Sequence, residues 1–422
     1  MSRKKLRNLI QDLALILLTA SALFLLTRLP QLQNIHLSGR VPNLFASAPS
    51  AGEQGEDALS ADMFSSVNLM VTGDIEYGRC GRLCVSADDA ALQPILSLFQ
   101  EAMGSAGSME PVSDDVVHRA LEGAGLYLEL DCGTLPLEAV AAWLGERLEF
   151  DMDMWAMALT IGEEDAVSLY LLDGEGGIFR CATALPVSAV EPICEEFVPN
   201  GAYFAYETSY LALSPYTVLT AAPDPLPDVQ AELPAGYSAY NLLTALDLNA
   251  HTLSRYTESG GAEVVEESPR TLRITPDGAV TLISQGESSS SLYQASGQGL
   301  PEALAAAWRL ASALTAGTGA SPLYLRAVER TETGYVLRFG YQAEGVPVFF
   351  SDEGDALTVT YQNGAVTVFN YRCRIYTALE EEPAALLPAG MAQAIAASYP
   401  QSALSIGYED DGSGRLAAQW LR

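Results

Sequence analysis

One stretch near the start constrains this chain more than any other. Leu9 to Leu26 is an almost unbroken apolar run, interrupted by Gln11, Asp12 and the small residues Thr19, Ala20, Ser21 and Ala22. Arg3, Lys4, Lys5 and Arg7 precede it, and Arg28 and Pro30 close it. At about 1.5 Å per helical residue the run spans roughly 27 Å, close to the thickness of a bilayer core. Positive charge ahead of the run places the N-terminus in the cytoplasm and the rest of the chain outside. The expected layout is a cytoplasmic tip (1–8), a transmembrane anchor (9–29) and a large remainder on the outer side of a cell membrane. A cleaved signal peptide has the same charged start. It needs small residues just past the apolar run, and Thr27-Arg28-Leu29-Pro30 offers none. A buried core helix is the other alternative, but a terminal helix this apolar has no polar face to turn to water.

Charge divides the chain at the same place. Residues 1–30 hold five of the 22 basic side chains and one of the 53 acidic ones, so residues 31–422 carry 17 against 52, a net charge of −35. A surface this acidic is repelled by nucleic acid and by anionic lipids or polymers. The acids serve solubility, with cation association as the alternative.

Residues 30–62, with Pro42, Pro49 and a Ser/Ala/Gly/Glu run, read as a flexible stalk. From Met63 the pattern is α+β, and 63–222 is expected to form one ectodomain module. Leu92, Ile95, Leu96, Leu98 and Phe99 recur at helical spacing within 88–103, where Pro94 either kinks the helix or marks its start. GLYLEL (125–130) reads as a strand, and 157–161 with 166–172 as a hairpin. Helices are expected at 135–144 and 186–197, and strands at 178–184, 202–206 and 211–219. Three prolines between Ala222 and Asp228 break both periodicities and mark a boundary. Two further modules follow, 235–320 and 321–422. They hold a helix at 301–314, strands at 279–284, 323–328, 335–341, 356–361 and 365–371, and a helix at 383–398. Thr275-Pro276-Asp277-Gly278 is a turn, and Asn363-Gly364 is a hairpin signal.

Residues able to do chemistry are sparse. His36, His118 and His251 have no histidine or cysteine at ligand spacing, and no nucleophile-elbow, zincin or phosphate-loop pattern occurs. Asp410-Asp411-Gly412-Ser413-Gly414 falls short of a calcium loop, lacking the carboxylate spacing and the terminal glutamate. No catalytic, cofactor or metal residue is assigned. Outside the membrane the six cysteines (Cys80, Cys84, Cys132, Cys181, Cys194, Cys373) are free to form disulfides, with Cys80–Cys84 shaped like a small loop closure and pairing otherwise open. Within the anchor, Gln11 and Asp12 are polar and Ala20 and Ala22 allow close helix approach, so these four are the candidate contacts to a neighbouring membrane helix.

Three stretches together resemble the YycH/YycI family of Firmicutes: 254–280, 335–350 and 359–376. The match is closest at Leu272-Arg273-Ile274 followed by Pro276-Asp277-Gly278, and at Tyr341 with Gly345-Val346-Pro347-Val348. The resemblance covers about 235–400; length is nearer the larger, YycH-like member, and residues 63–222 agree in outline. It implies tandem α+β modules with antiparallel sheets, and no enzymatic activity. It also implies a membrane-anchored regulator of a sensor histidine kinase of the WalK/YycG type, which controls cell-wall metabolism. A sister YycI-like regulator is an implied second partner. The alternatives are an extracellular module binding a wall fragment or a cation, and a wall-processing hydrolase.

Overall fold

Alternating burial along strands decides which segments of the ectodomain pair. In the computed structural model the described residues are 63–421 apart from 65, 74–77, 87–88, 131–132, 147–149, 163–164, 209–212, 221–222, 249–253, 268, 285–292, 296, 381–382, 384 and 397–404. The expected anchor and stalk, with Gln11, Asp12, Ala20 and Ala22, lie outside them. Among the described residues no helix is long and apolar enough to cross a membrane.

The first half builds one sheet. Strands β1 (Val67–Thr72), β2 (Arg79–Val85), β3 (Glu110–Pro111), β4 (Gly125–Leu130), β5 (Leu135–Pro136), β6 (Asp153–Ile161), β7 (Ala166–Asp173) and β8 (Ile178–Pro186) take part. Their order is β2-β1-β4-β6-β7-β8-β3, with β5 beside β6. Helices α1 (Gln93–Gly104), α3 (Leu137–Trp143) and α4 (Val187–Glu196) cover the face formed by Leu69, Leu126, Leu128, Leu159 and Leu169. Helix α2 (Asp114–Ala120) packs Val117 on the opposite face, with Met70, Tyr127, Ala158 and Tyr170. Pro94 proves to mark a helix start: it lies in the first turn of α1, where its missing N–H leaves no bond unmade.

Two expected strands are much shorter than their apolar pattern implies. Within 202–206 only β9 (Tyr203–Phe204) pairs, and a 3-10 turn, Ala205–Glu207, follows at once. Among the described residues of 211–219, β10 (Val218–Leu219) is the part that pairs; Pro215 has no donor, and Thr217 N–H turns back onto Ser214 O at 3.1 Å. Phe204, Tyr216 and Val218 instead cap the α2 face of the sheet.

The second half is organised by one helix. Strand β11 (Val229–Glu232), which no local sequence pattern predicts, and α5 (Ala239–Ala245) lead into it. Then come β12 (Ser254–Thr257), β13 (Glu263–Glu267), β14 (Arg270–Ile274), β15 (Ala279–Ser284) and α6 (Leu300–Thr318). They are followed by β16 (Leu323–Thr331), β17 (Gly334–Ala343), β18 (Val346–Phe350), β19 (Leu357–Gln362), β20 (Ala365–Arg372) and β21 (Ile375–Ala378). The last elements are α7 (Ala389–Ala396), β22 (Ser405–Asp410), β23 (Arg415–Leu416) and β24 (Ala418–Leu421). An eleven-stranded sheet runs β12-β13-β14-β15-β20-β19-β17-β18-β22-β24, with β16 also on β17. All its pairs are antiparallel except β18 with β22. Strand β11 joins β21 and β23 in a separate small sheet.

Register explains the packing of this sheet. Val265, Leu272, Leu282, Phe369, Val359 and Leu337 are successive cross-strand partners, forming one apolar row across six strands. That row belongs to the same core as Leu304, Leu310 and Leu314 of α6. One residue along each strand, the row reads Arg273, Thr281, Asn370, Thr358 and Arg338. A period of two therefore makes one face apolar and the other polar. The turns hold as expected: Gly278 sits at φ 99°, and Asn363 and Gly364 at 52° and 82°. Phe64 ties the halves together, stacking on Trp143 of α3 at 4.6 Å and bridging to Leu325 in β16.

Candidate functional site

The residues singled out for chemistry fall into structural positions. His118, in α2, is stacked on Tyr206 at 4.1 Å, with Tyr216 at 5.2 Å. Tyr216 donates to Asp114 Oδ1 at 2.9 Å, and burial pushes the Tyr206 hydroxyl up to about 12. This is an aromatic plug on the sheet. His36 and His251 lie outside the described residues. Asp410 has only 3% of its side chain exposed; Tyr376 Oη donates to it at 2.9 Å, Gly412 N–H donates at 2.9 Å, and Arg374 Nε stands 3.7 Å away. Asp411 accepts from Ser413 N–H at 2.8 Å. The Asp-Asp-Gly-Ser-Gly segment is thus a turn whose carboxylates are held by its own amides and the partly buried Tyr376. Among the described residues, no group of three or more His, Cys, Asp or Glu is placed to hold a metal.

The cysteines do not form the small loop closure that their spacing allows. Cys80 and Cys84 both lie in β2, and no disulfide joins them. Cys84 sits at φ 53° in a bulge of β2, and four strand steps separate Cα atoms by roughly 13 Å when ideal, about twice what a disulfide spans. Nor is Cys181 bonded to Cys194: the first is buried in β8, and the second donates through Sγ to Gly125 O at 3.7 Å. Burial pushes the Cys194 thiol up to about 11 and raises Cys80, Cys181 and Cys373 as well, suppressing the thiolate. Cys132 lies outside the described residues.

A cleft of about 340 Å³ is lined by Asn68, Glu129 and Trp155 of the first sheet, Thr217 beside β10, and Ile406 and Trp420 of the end of the second sheet. Asn68 and Glu129 are direct cross-strand neighbours on β1 and β4. Glu129 is 9% exposed, and its Oε2 accepts from Val218 N–H at 2.9 Å. Asn68 Oδ1 accepts from Cys84 N–H at 3.0 Å. Glu129 is the charged residue among those lining the cleft. The signal for it lay in GLYLEL: alternation puts Glu129 on the face of Tyr127, so a carboxylate stands where a core side chain is due.

Beside the cleft, α7 buries one side and exposes the other. Ala389 packs with Ala205 and Leu219, and Trp420 lies against that contact. Leu387, Met391 and Ile395 remain 45%, 56% and 48% exposed. Met391 and Ile395, four apart, lie on one side of α7, and Leu387 stands two residues before its first turn. Trp420 Nε1 donates to Leu387 O at 2.9 Å. One tryptophan therefore lines the cleft and holds the segment that enters α7.

No family model matches the chain, and no curated protein matches its sequence. Among solved structures, the chain is similar to the crystal structure of YycH from Bacillus subtilis, with a TM-score of 0.55 at 12% identity, over 87% of this chain and 95% of that one. The strands and turns from which the resemblance was read, β14 to β15 and β17 to β20, stand in the sheet that α6 organises. The protein is a mixed α+β chain with antiparallel sheets and the fold of YycH.

Proposed function

We propose that this chain is a non-enzymatic, single-pass membrane regulator of a sensor histidine kinase of the WalK/YycG type. The observation that carries the reading is the YycH fold extending over 87% of the chain. In this reading Leu9–Leu26 crosses the membrane, the N-terminus is cytoplasmic and the acidic remainder is extracellular. Gln11, Asp12, Ala20 and Ala22 meet the kinase's membrane helices, and the ectodomain meets its extracellular part or a sister YycI-like regulator. Regulation needs only that the chain bind one signalling state of the kinase better than the other, since a ligand shifts a two-state equilibrium by its differential affinity. Deleting the gene and measuring kinase autophosphorylation and wall-gene output tests the reading; unchanged output removes it. Replacing Leu9–Leu26 by an unrelated transmembrane helix then divides the work between anchor and ectodomain. Loss of regulation with unchanged membrane targeting assigns specificity to the anchor.

A further inference from the structure

The corner that Trp420 builds has three properties that a purely structural surface would not combine. First, Leu387, Met391 and Ile395 form an apolar ridge in a chain whose residues 31–422 carry a net charge of −35. Single exposed apolar side chains are ordinary; Met391 and Ile395 on one side of α7, with Leu387 just before it and Trp420 bonded to Leu387 O, are a group of them in one place. Second, the adjoining cleft places the Glu129 carboxylate among its lining residues together with two partly buried indoles, Trp155 and Trp420. A guanidinium or ammonium group is attracted by the carboxylate and by the faces of indole rings, and a second anion is not. Third, the hydrogen bond from Trp420 to Leu387 O ties a wall of the cleft to the segment that enters α7.

Charge selects the occupant. A second copy of this chain brings its own −35 and meets repulsion. An anionic membrane surface is repelled for the same reason. What fits is a protein segment with an apolar face and a long basic side chain at one end. We infer that the Trp420 corner is the docking site for such a segment in the extracellular part of the sensor kinase, its apolar face on Leu387, Met391 and Ile395 and its Arg or Lys side chain in the cleft at Glu129. The inference rests on the regulatory reading above and names the surface that would perform it. The apolar ridge supplies contact area, and the acidic cleft fixes the register of the segment.

The test uses the full-length chain and the kinase in one membrane. A photo-crosslinking side chain at position 391 is expected to capture the kinase's extracellular part. Met391→Glu and Ile395→Glu each lower the crosslink yield, read from a probe at 387, by about tenfold, a change worth about 1.4 kcal/mol. Kinase regulation is lost in parallel. Glu129→Gln keeps an oxygen for Val218 N–H but removes the charge; it weakens binding and flattens its dependence on salt. Thermal melts of Met391→Ser, which introduces no charge, guard against a folding artefact and are expected to match wild type. Wild-type crosslinking and regulation in both ridge glutamate variants overturns the docking site and leaves the regulatory reading standing. Capture of lipid or of a second copy at 391 overturns it too. Unchanged kinase output on deletion of the whole gene removes both.

Discussion

Helices α6 and α7 are both rich in alanine, yet the fold uses them in opposite ways. In α6, Leu300, Ala303, Leu304, Ala306, Ala307, Leu310, Ala311 and Leu314 are all at most 1% exposed. The helix lies on the apolar rows of the eleven-stranded sheet and is the centre of the second core. Among the described side chains of α7, Ala389 and Ala392 are buried, and the larger Met391 and Ile395 face outward. The same residue chemistry stabilises the fold in one helix and leaves larger side chains exposed in the other. Composition does not separate the two cases; the neighbours do.

That contrast can be broken most severely at α6. Leu310→Ala empties part of a fully buried site, and a loss of about 2–5 kcal/mol is expected from denaturant unfolding. A loss under about 1 kcal/mol would mean that the sheet does not depend on α6 as argued. The next largest effect is at the turn that sets the register of β14 and β15. At Gly278, φ is 99° and a Cβ would stand 2.9 Å from Cys373 O and 2.6 Å from Leu233 Cδ2. Gly278→Ala should cost about 1–3 kcal/mol, seen as a lowered melting midpoint.

A smaller effect follows from the entrance to α6. Tyr361 Oη donates to Gly297 O at 2.8 Å and Tyr293 Oη to Ala245 O at 3.3 Å. Burial pushes both hydroxyls up to about 12. In the unfolded chain these phenols lose their protons near pH 10, so above that the unfolded state binds fewer protons than the folded one. The contribution to stability is whole below about pH 10 and falls as pH rises toward about 12. Melting midpoints taken across this range should decline, and Tyr293→Phe should make the decline shallower. A decline confined to pH below 9 would contradict the assignment. The smallest effect belongs to α7: Met391→Ser and Ile395→Ser should change stability by no more than about 0.5 kcal/mol. A larger loss in either would show that the ridge is part of the core after all, and the comparison with α6 would collapse.

Much of the second sheet was legible in advance because strand alternation and turn chemistry are local. Ala279–Ser284 was read to the residue, and the pairs flanking Pro276-Asp277-Gly278 and Asn363-Gly364 follow from turns that need positive φ. The helix read at 301–314 runs from 300 to 318, reaching Gly319, whose left-handed φ of 74° ends it. The misses have non-local causes. Strand β11 pairs with strands far along the chain, so nothing near it in sequence marks it as paired. The 211–219 run looks like a strand because it is apolar, but Tyr216 and Val218 cap a sheet instead. Cys80 and Cys84 invited a bridge by spacing, and the extended backbone of β2 keeps them apart.

The division of charge, the apolar N-terminal run, the order of strands and turns after residue 254 and the lack of recognised catalytic motifs are all written locally in the chain. Each is a property of neighbours in the chain, where side-chain pattern acts through periods of two and 3.6. Only the tertiary structure decided that Glu129 opens onto a cleft, that Trp420 from the far end of the chain forms its other side, and that α7 leaves its larger side chains bare. The physical reason is that burial and exposure belong to pairs of surfaces. Residues 129 and 420 become neighbours only after two sheets have folded, and no local pattern encodes their meeting.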